Sequence, residues 1–160
     1  NPASKSSYRV AIRGLGPGGN FCSCPDYATS ELGTCKHLEF TLARLEKKRG
    51  AKAAFARGYQ PAFSELYLRN EGKRRVHFRA GTDCPPEVSK AATDLFDAER
   101  DGMLPEERLG ELEHFMTMAS KGGHELRAYD DALDFVAGRR DTDRRGSRLG
   151  KLFPAGAPAT

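Results

Sequence analysis

Hydrophobic and polar residues alternate with period two in three short stretches and recur at helical spacing along much of the remaining chain. Tyr8, Val10 and Ile12 alternate with Ser7, Arg9, Ala11 and Arg13, the pattern of a half-buried strand. Gly14-Leu15-Gly16-Pro17-Gly18-Gly19 signals a turn, and Asn20-Phe21-Cys22 is placed to return as the partner strand. Leu38, Leu42 and Leu45 fall at i, i+4 and i+7 of a helix expected to start at Lys36 and end near Gly50. A short basic helix, Ala51 to Arg57, follows and is closed by Gly58. Phe63–Arg69 and Arg75–Phe78–Arg79 alternate on either side of Asn70-Glu71-Gly72-Lys73, a hairpin signal. Leu66, Leu68, Val76 and Phe78 would share one face of that hairpin; Tyr67, Arg75, His77 and Arg79 would share an exposed one.

The second half reads as helical. Cys84-Pro85-Pro86-Glu87 opens a helix whose stripe is Val88, Ala91, Ala92, Leu95 and Phe96, broken by Asp101-Gly102. Pro105-Glu106-Glu107 starts another, with Leu109, Leu112, Phe115, Met116 and Ala119 inward and Lys121-Gly122-Gly123 ending it. Glu125–Ala128 suits a short strand. Asp130 can N-cap a last helix, Asp131 to Val136, with Ala132, Leu133 and Val136 inward. The expected fold class is α+β: a small metal-centred hairpin plus helix, then a second hairpin and a helical segment. The chain divides into an opening stretch 1–6 expected to be disordered, a finger at 7–50, an α+β segment at 51–138, and a basic, then Pro/Ala-rich, linker at 139–160.

Charge sharpens this division. The net charge of +4 over 160 residues conceals blocks of opposite sign. Residues 36–58 hold seven Lys/Arg against two acids, 59–80 five against two, 81–136 five against fourteen, and 137–151 six against two. A phosphate-facing surface therefore belongs near the finger and the tail, and the middle helices are unsuited to it. No stretch approaches the roughly 18 apolar residues of a membrane span, and no signal peptide is visible. A cytoplasmic setting, where thiols stay reduced, is expected.

The chemistry lies in Cys22, Cys24, Cys35 and His37. A structural zinc takes four Cys or His ligands at tetrahedral angles, with Zn–S about 2.3 Å and Zn–N about 2.0–2.1 Å. Positions two apart on an extended segment point to one side, so Cys22 and Cys24 can face one ion from a strand. Cys35 and His37 diverge if both lie within a helix, so Cys35 belongs just before the helix and His37 in its first turn. Either Thr34 or Cys35 can cap that helix. Competing accounts are a set of buried soft residues, a Cys22/Cys24 redox pair, or an iron–sulfur cluster; zinc fits the spacing best. Cys84 stands apart and reads as an ordinary thiol.

This constellation resembles the SWIM zinc finger, written C-x-C, a variable loop, then C-x-H. Cys22, Cys24, Cys35 and His37 fill its four positions across the ten-residue span Pro25–Thr34. The preceding strand, Pro25-Asp26-Tyr27 and Gly33-Thr34-Cys35-Lys36-His37-Leu38 match it as well. The rest of the chain resembles, in order and general character, the segment that follows such a finger in bacterial Swi/Snf-family ATPases. The resemblance implies a Zn2+ cofactor and an accessory module of a nucleic-acid-dependent, helicase-like motor, itself carrying no ATPase motif: no G-x-x-x-x-G-K-[ST] occurs.

The basic residues Arg44, Lys47, Lys48, Arg49, Lys52, Lys73, Arg74 and Arg75 suggest contact with nucleic acid, DNA foremost, through phosphates. A protein partner, including the motor of the same chain, is the other expectation: an interaction adaptor with a structural zinc and no nucleic-acid contact. No enzyme is expected here. His77, His114 and His124 are scattered, and the acid pairs sit at helix starts, where they favour the positive end of the dipole.

Overall fold

The computed structural model describes residues 6–16, 18–70 and 73–152. The opening residues 1–5, the hairpin-turn positions Glu71 and Gly72, and the Pro/Ala-rich stretch 153–160 lie outside the described residues.

The alternating run after Pro61 becomes β3 (Ser64–Asn70), the centre of a three-stranded sheet. β4 (Arg74–Arg79) pairs with it antiparallel, placing Leu66 opposite Phe78 and Leu68 opposite Val76, as alternation requires. The short segment after Gly123 forms β5 (Leu126–Ala128), parallel to β3 on its other side. Leu66, Leu68, Val76 and Phe78 point toward the helical half of the chain. There α4 (Pro86–Leu95), α5 (Leu112–Lys121) and α6 (from Asp130) close one core with Val88, Leu95, Phe96, Leu112, Phe115, Ala132 and Val136. Phe78, Phe96 and Phe115 meet at ring separations of 5.2–5.3 Å. The fold is α+β, with an early two-stranded hairpin of β1 (Val10–Ala11) and β2 (Phe21–Cys22).

Several local expectations are corrected. The strand expected over Ser7–Arg13 pairs only at Val10–Ala11, because the turn 14–20 folds back through side chains: Asn20 Oδ1 accepts from the backbone N–H of Arg13 at 2.7 Å and of Gly14 at 3.3 Å. The supposed loop after Cys24 contains a helical turn, α1 (Pro25–Thr29), with proline at its start and the Cys24 sulfur accepting the Tyr27 N–H. α2 (Lys36–Glu46) ends before Gly50, and a tight turn through left-handed Gly50 leads into α3 (Ala51–Arg57). The fourth helix ends at Leu95, short of Asp101. The run from Glu106 begins as a 3-10 turn to Glu111 before α5. The last helix runs past Val136 to Leu152. Arg139 and Arg140, expected in a linker, pair from it with Glu106 at 2.9 Å and Glu113 at 3.1 Å. Leu133, expected inward, is 37% exposed.

The largest correction concerns the second face of the sheet. It is not open to solvent: Glu65 is 0%, Tyr67 2% and His77 7% exposed. The finger covers Glu65 and Tyr67. Arg13 donates from Nε to Glu65 at 2.6 Å, both side chains buried, and its guanidinium lies over the rings of Tyr67 and Tyr129 at 4.5 and 4.6 Å. Arg13 also donates to the Gly19 carbonyl at 2.7 Å. The end of β3 grips the finger from another side: the Asn70 N–H donates to the Gly18 carbonyl, and the Asn70 amide to the Glu31 carbonyl at 3.1 Å. Gly33 approaches closely there, at φ +67°, where a Cβ would stand 3.2 Å from that of Asn70.

A buried ion pair is costly to break from one side, because the remaining charge keeps its desolvation penalty without a partner. Glu65→Ala should therefore destabilise the chain by about 3–5 kcal/mol. A urea titration that moves by a fraction of that would mean that water reaches Arg13.

Candidate metal centre

The site is assembled from three short elements. β2 presents Cys22; the residue after the strand, Ser23, takes the Arg9 N–H on its hydroxyl, and its own N–H returns to the Arg9 carbonyl. The chain then turns, and Cys24 caps α1, its sulfur 3.4 Å from the Tyr27 nitrogen. Cys35, in extended conformation, is the residue before α2, and His37 lies in that helix's first turn. The expected placement of both is thus met, and the capping position is Cys35.

One donor atom from each of Cys22, Cys24, Cys35 and His37 lies within 4.8 Å of the others. The Cys35 sulfur stands 4.0 Å from His37 Nδ1. Ligands about 2.3 Å from one tetrahedral centre are about 3.8 Å apart, so the arrangement fits a metal with only small closing movements. The three cysteines are buried, and the imidazole is held by the Tyr8 ring at 4.9 Å. The cluster is consistent with a zinc finger and leaves a metal ion four protein ligands. Burial pushes the Cys22 thiol up to about 12; the backbone N–H of Cys24 opposes the rise, and the Cys24 and Cys35 thiols add to it. Burial thus disfavours the Cys22 thiolate without a cation; a bound metal would reverse this and release its proton.

Around the cluster the finger has a small apolar store: Phe21, Tyr27 and Leu38, joined by Tyr67 and Tyr129 of the body. The Tyr27 hydroxyl donates to the Asn20 carbonyl at 2.6 Å. Behind β2 lies a cavity of about 410 Å³, lined on one side by Phe21 and Tyr27 and on the other by Leu68, Phe135 and Asp131. Asp131 accepts from the Ala132 N–H through Oδ1 at 2.9 Å, while Oδ2 is buried without a hydrogen bond. Burial pushes its carboxyl up to about 6.

The cationic residues read as nucleic-acid contacts are not brought into one group. Arg44, Lys47, Lys48, Arg49 and Lys52 are exposed along the end of α2 and the start of α3. Lys73 and Arg75 border a separate depression with Arg69, His77 and Arg100. Arg74 donates to the Ala28 and Ser30 carbonyls at 3.2 and 3.0 Å, and Arg75 pairs with Glu106 at 3.0 Å. These two brace the fold. Cys84 packs half-buried against the helical core. His124 meets the Ser64 hydroxyl at 2.7 Å, but Ser64 is fully buried and also holds the Gly81 N–H. His77 contacts the Asp101 carbonyl at 3.0 Å.

Sequence reasoning missed Arg13, Glu65 and Tyr129, which seat the finger, and Asp131. The available signal was opposite charge on the polar-alternating sides of two expected strands, Arg13 and Glu65. No family model matches the chain, and neither the search of curated proteins nor that of solved structures returned a match. Among the described residues no helix is long and apolar enough to cross a membrane.

Two outcomes follow from this geometry. Removing the metal with a strong chelator, or Cys35→Ala, should unfold residues 7–48, since metal supplies on the order of 10 kcal/mol to isolated fingers; unchanged far-ultraviolet dichroism and proteolysis would contradict this. Asp131 has a folded-state pKa above its unfolded value near 3.9, so ionising it opposes folding. That cost is absent below about pH 4, grows to about pH 6, and is constant above. Asp131→Asn should add about 1–3 kcal/mol near pH 7.5 and less near pH 5, each against the parent at the same pH. A gain independent of pH would refute the assignment.

Proposed function

We propose that the chain is the accessory zinc module of a nucleic-acid-dependent Swi/Snf-type ATPase, non-catalytic itself and acting in the cytoplasm. The observation that carries the metal part is the meeting of Cys22, Cys24, Cys35 and His37 in C-x-C, C-x-H order. Three thiolates and one imidazole in a closed tetrahedral set suit Zn2+, and four protein ligands leave no position for a reacting water. The ion then has a structural role, and the fully buried Ser64 that meets His124 is no accessible nucleophile.

Nucleic acid is the ligand this reading favours. The cations at the α2–α3 junction are the support: Lys47, Lys48, Arg49 and Lys52 are exposed, with no acidic partner among the described ion pairs, whereas Arg9, Arg13, Arg75, Arg139 and Arg140 each face a carboxylate. Arg44 lies over the Phe40 ring at 5.6 Å and keeps its charge toward solvent. Such residues would neutralise phosphates without reading bases, giving affinity that falls steeply with salt. The second reading, docking of a protein partner or of the motor, is favoured by Phe40, 63% exposed on the finger's helix.

Triple charge reversal at Lys47, Lys48 and Arg49 should weaken DNA binding and reduce the slope of log K against log salt by roughly three. A salt-insensitive isotherm, or no binding at micromolar protein in low salt, would reject the nucleic-acid reading. Loss of a co-purifying protein with Phe40→Ala would favour the adaptor.

A further inference from the structure

α3 is a lightly packed helix that neighbours α2. None of its seven residues is fully buried, and it is bounded by two glycines at positive φ, Gly50 at +83° and Gly58 at +78°. Seven residues are too few to hold helical structure in water unaided, so packing against something must sustain it. Between α3, the end of α2 and the edge of the finger hairpin runs a depression of about 560 Å³. Ile12, Leu45, Phe55 and Tyr59 form its apolar floor and sides, and the small side chains of Ala51 and Ala54 keep one wall low.

Every charged residue lining this depression is a cation: Arg13, Lys48, Arg49 and Arg57. Arg13 is neutralised by Glu65. Lys48, Arg49 and Arg57 are exposed and take part in none of the described ion pairs.

We propose that the α2–α3 depression binds single-stranded nucleic acid, with an unstacked base in the apolar slot beside Phe55 and the flanking phosphates on Lys48, Arg49 and Arg57. The proposal rests on the nucleic-acid reading above and narrows it to one strand and one groove. Charge complementarity demands an anionic occupant. A flat occupant suits a slot with an aromatic side and a low alanine wall, and base–aromatic contact is indifferent to base identity. A duplex can place phosphates on the rim but cannot insert a base without unstacking it. A strand lying here would also cover the exposed side of α3 and add to its packing.

The test is fluorescence anisotropy of the zinc-loaded chain with labelled oligothymidylate, against a duplex of equal length and polyglutamate as competitors. The single strand should bind more tightly than the duplex. Phe55→Leu, which keeps an apolar side chain and removes the ring, should weaken single-strand binding roughly tenfold and leave duplex binding unchanged. Ala54→Gln fills the slot from an exposed position of α3 and should do the same, so the outcome does not hang on one variant's folding; equal zinc content and dichroism verify both. Equal binding of strand and duplex, indifferent to Phe55→Leu and Ala54→Gln, would overturn the groove while leaving phosphate binding by the basic junction intact. Displacement of the probe by polyglutamate in a Phe55-dependent manner would overturn it in favour of an acidic peptide. Failure of both nucleic acids to bind would remove the groove and the nucleic-acid reading together.

Discussion

Four soft donor atoms within 4.8 Å of one another are the constraint on which the first third of the molecule depends. β1 and β2 pair over two residues each, α1 is a single turn, and the apolar residues belonging to this region are few. Nothing in such a segment repays the ordering of some forty residues. An ion held by Cys22 and Cys24 from one side and Cys35 and His37 from the other would do so. The sequence anticipates it: an extended pair, a proline that starts the intervening turn, and a helix whose mouth carries the second pair.

The finger is nevertheless no independent bead. Its hairpin places Arg13 between Tyr67 and Tyr129 and against Glu65, and Arg9 lies over Phe21 and Tyr129 while pairing with Asp130 at 3.5 Å. The central sheet is thereby covered twice, by helices over Leu66, Leu68, Val76 and Phe78 and by the finger over Glu65 and Tyr67. Burying an ion pair adds little net stability over an apolar contact, yet it penalises any docking that separates the charges. Arg13 and Glu65 thus fix where the metal-binding unit sits. Folding of the finger and completion of the sheet's second face are coupled events.

Legibility followed the range of the interactions. The ligand set, the position of Cys35 before α2, the bounds of α3, the β3–β4 register and the stripes of α4 and α5 all express local spacing, and local spacing is what a sequence displays. The second face of the sheet was misread because Tyr67, His77 and Arg79 carry the polar signature of an exposed surface; what buries two of them comes from distant stretches. The last helix was cut short for a related reason. Beyond Gly138 its residues are charged, and Arg139 and Arg140 owe their place to Glu106 and Glu113, some thirty positions earlier. Asp131 likewise looks like one more acid at a helix start until the cavity behind β2 is seen.

In the function proposed above, a metal-binding unit locked onto a sheet, with exposed cations and the lightly packed α3 gathered at one end, serves binding within a larger machine. Everything in that account begins with the ion. X-ray absorption at the zinc edge on the purified chain, with metal content measured in parallel, tests it most directly. The account predicts one zinc per chain with a shell of three sulfurs near 2.3 Å and one nitrogen near 2.0 Å. A chain free of zinc, or zinc bound through oxygen and water alone, would contradict it.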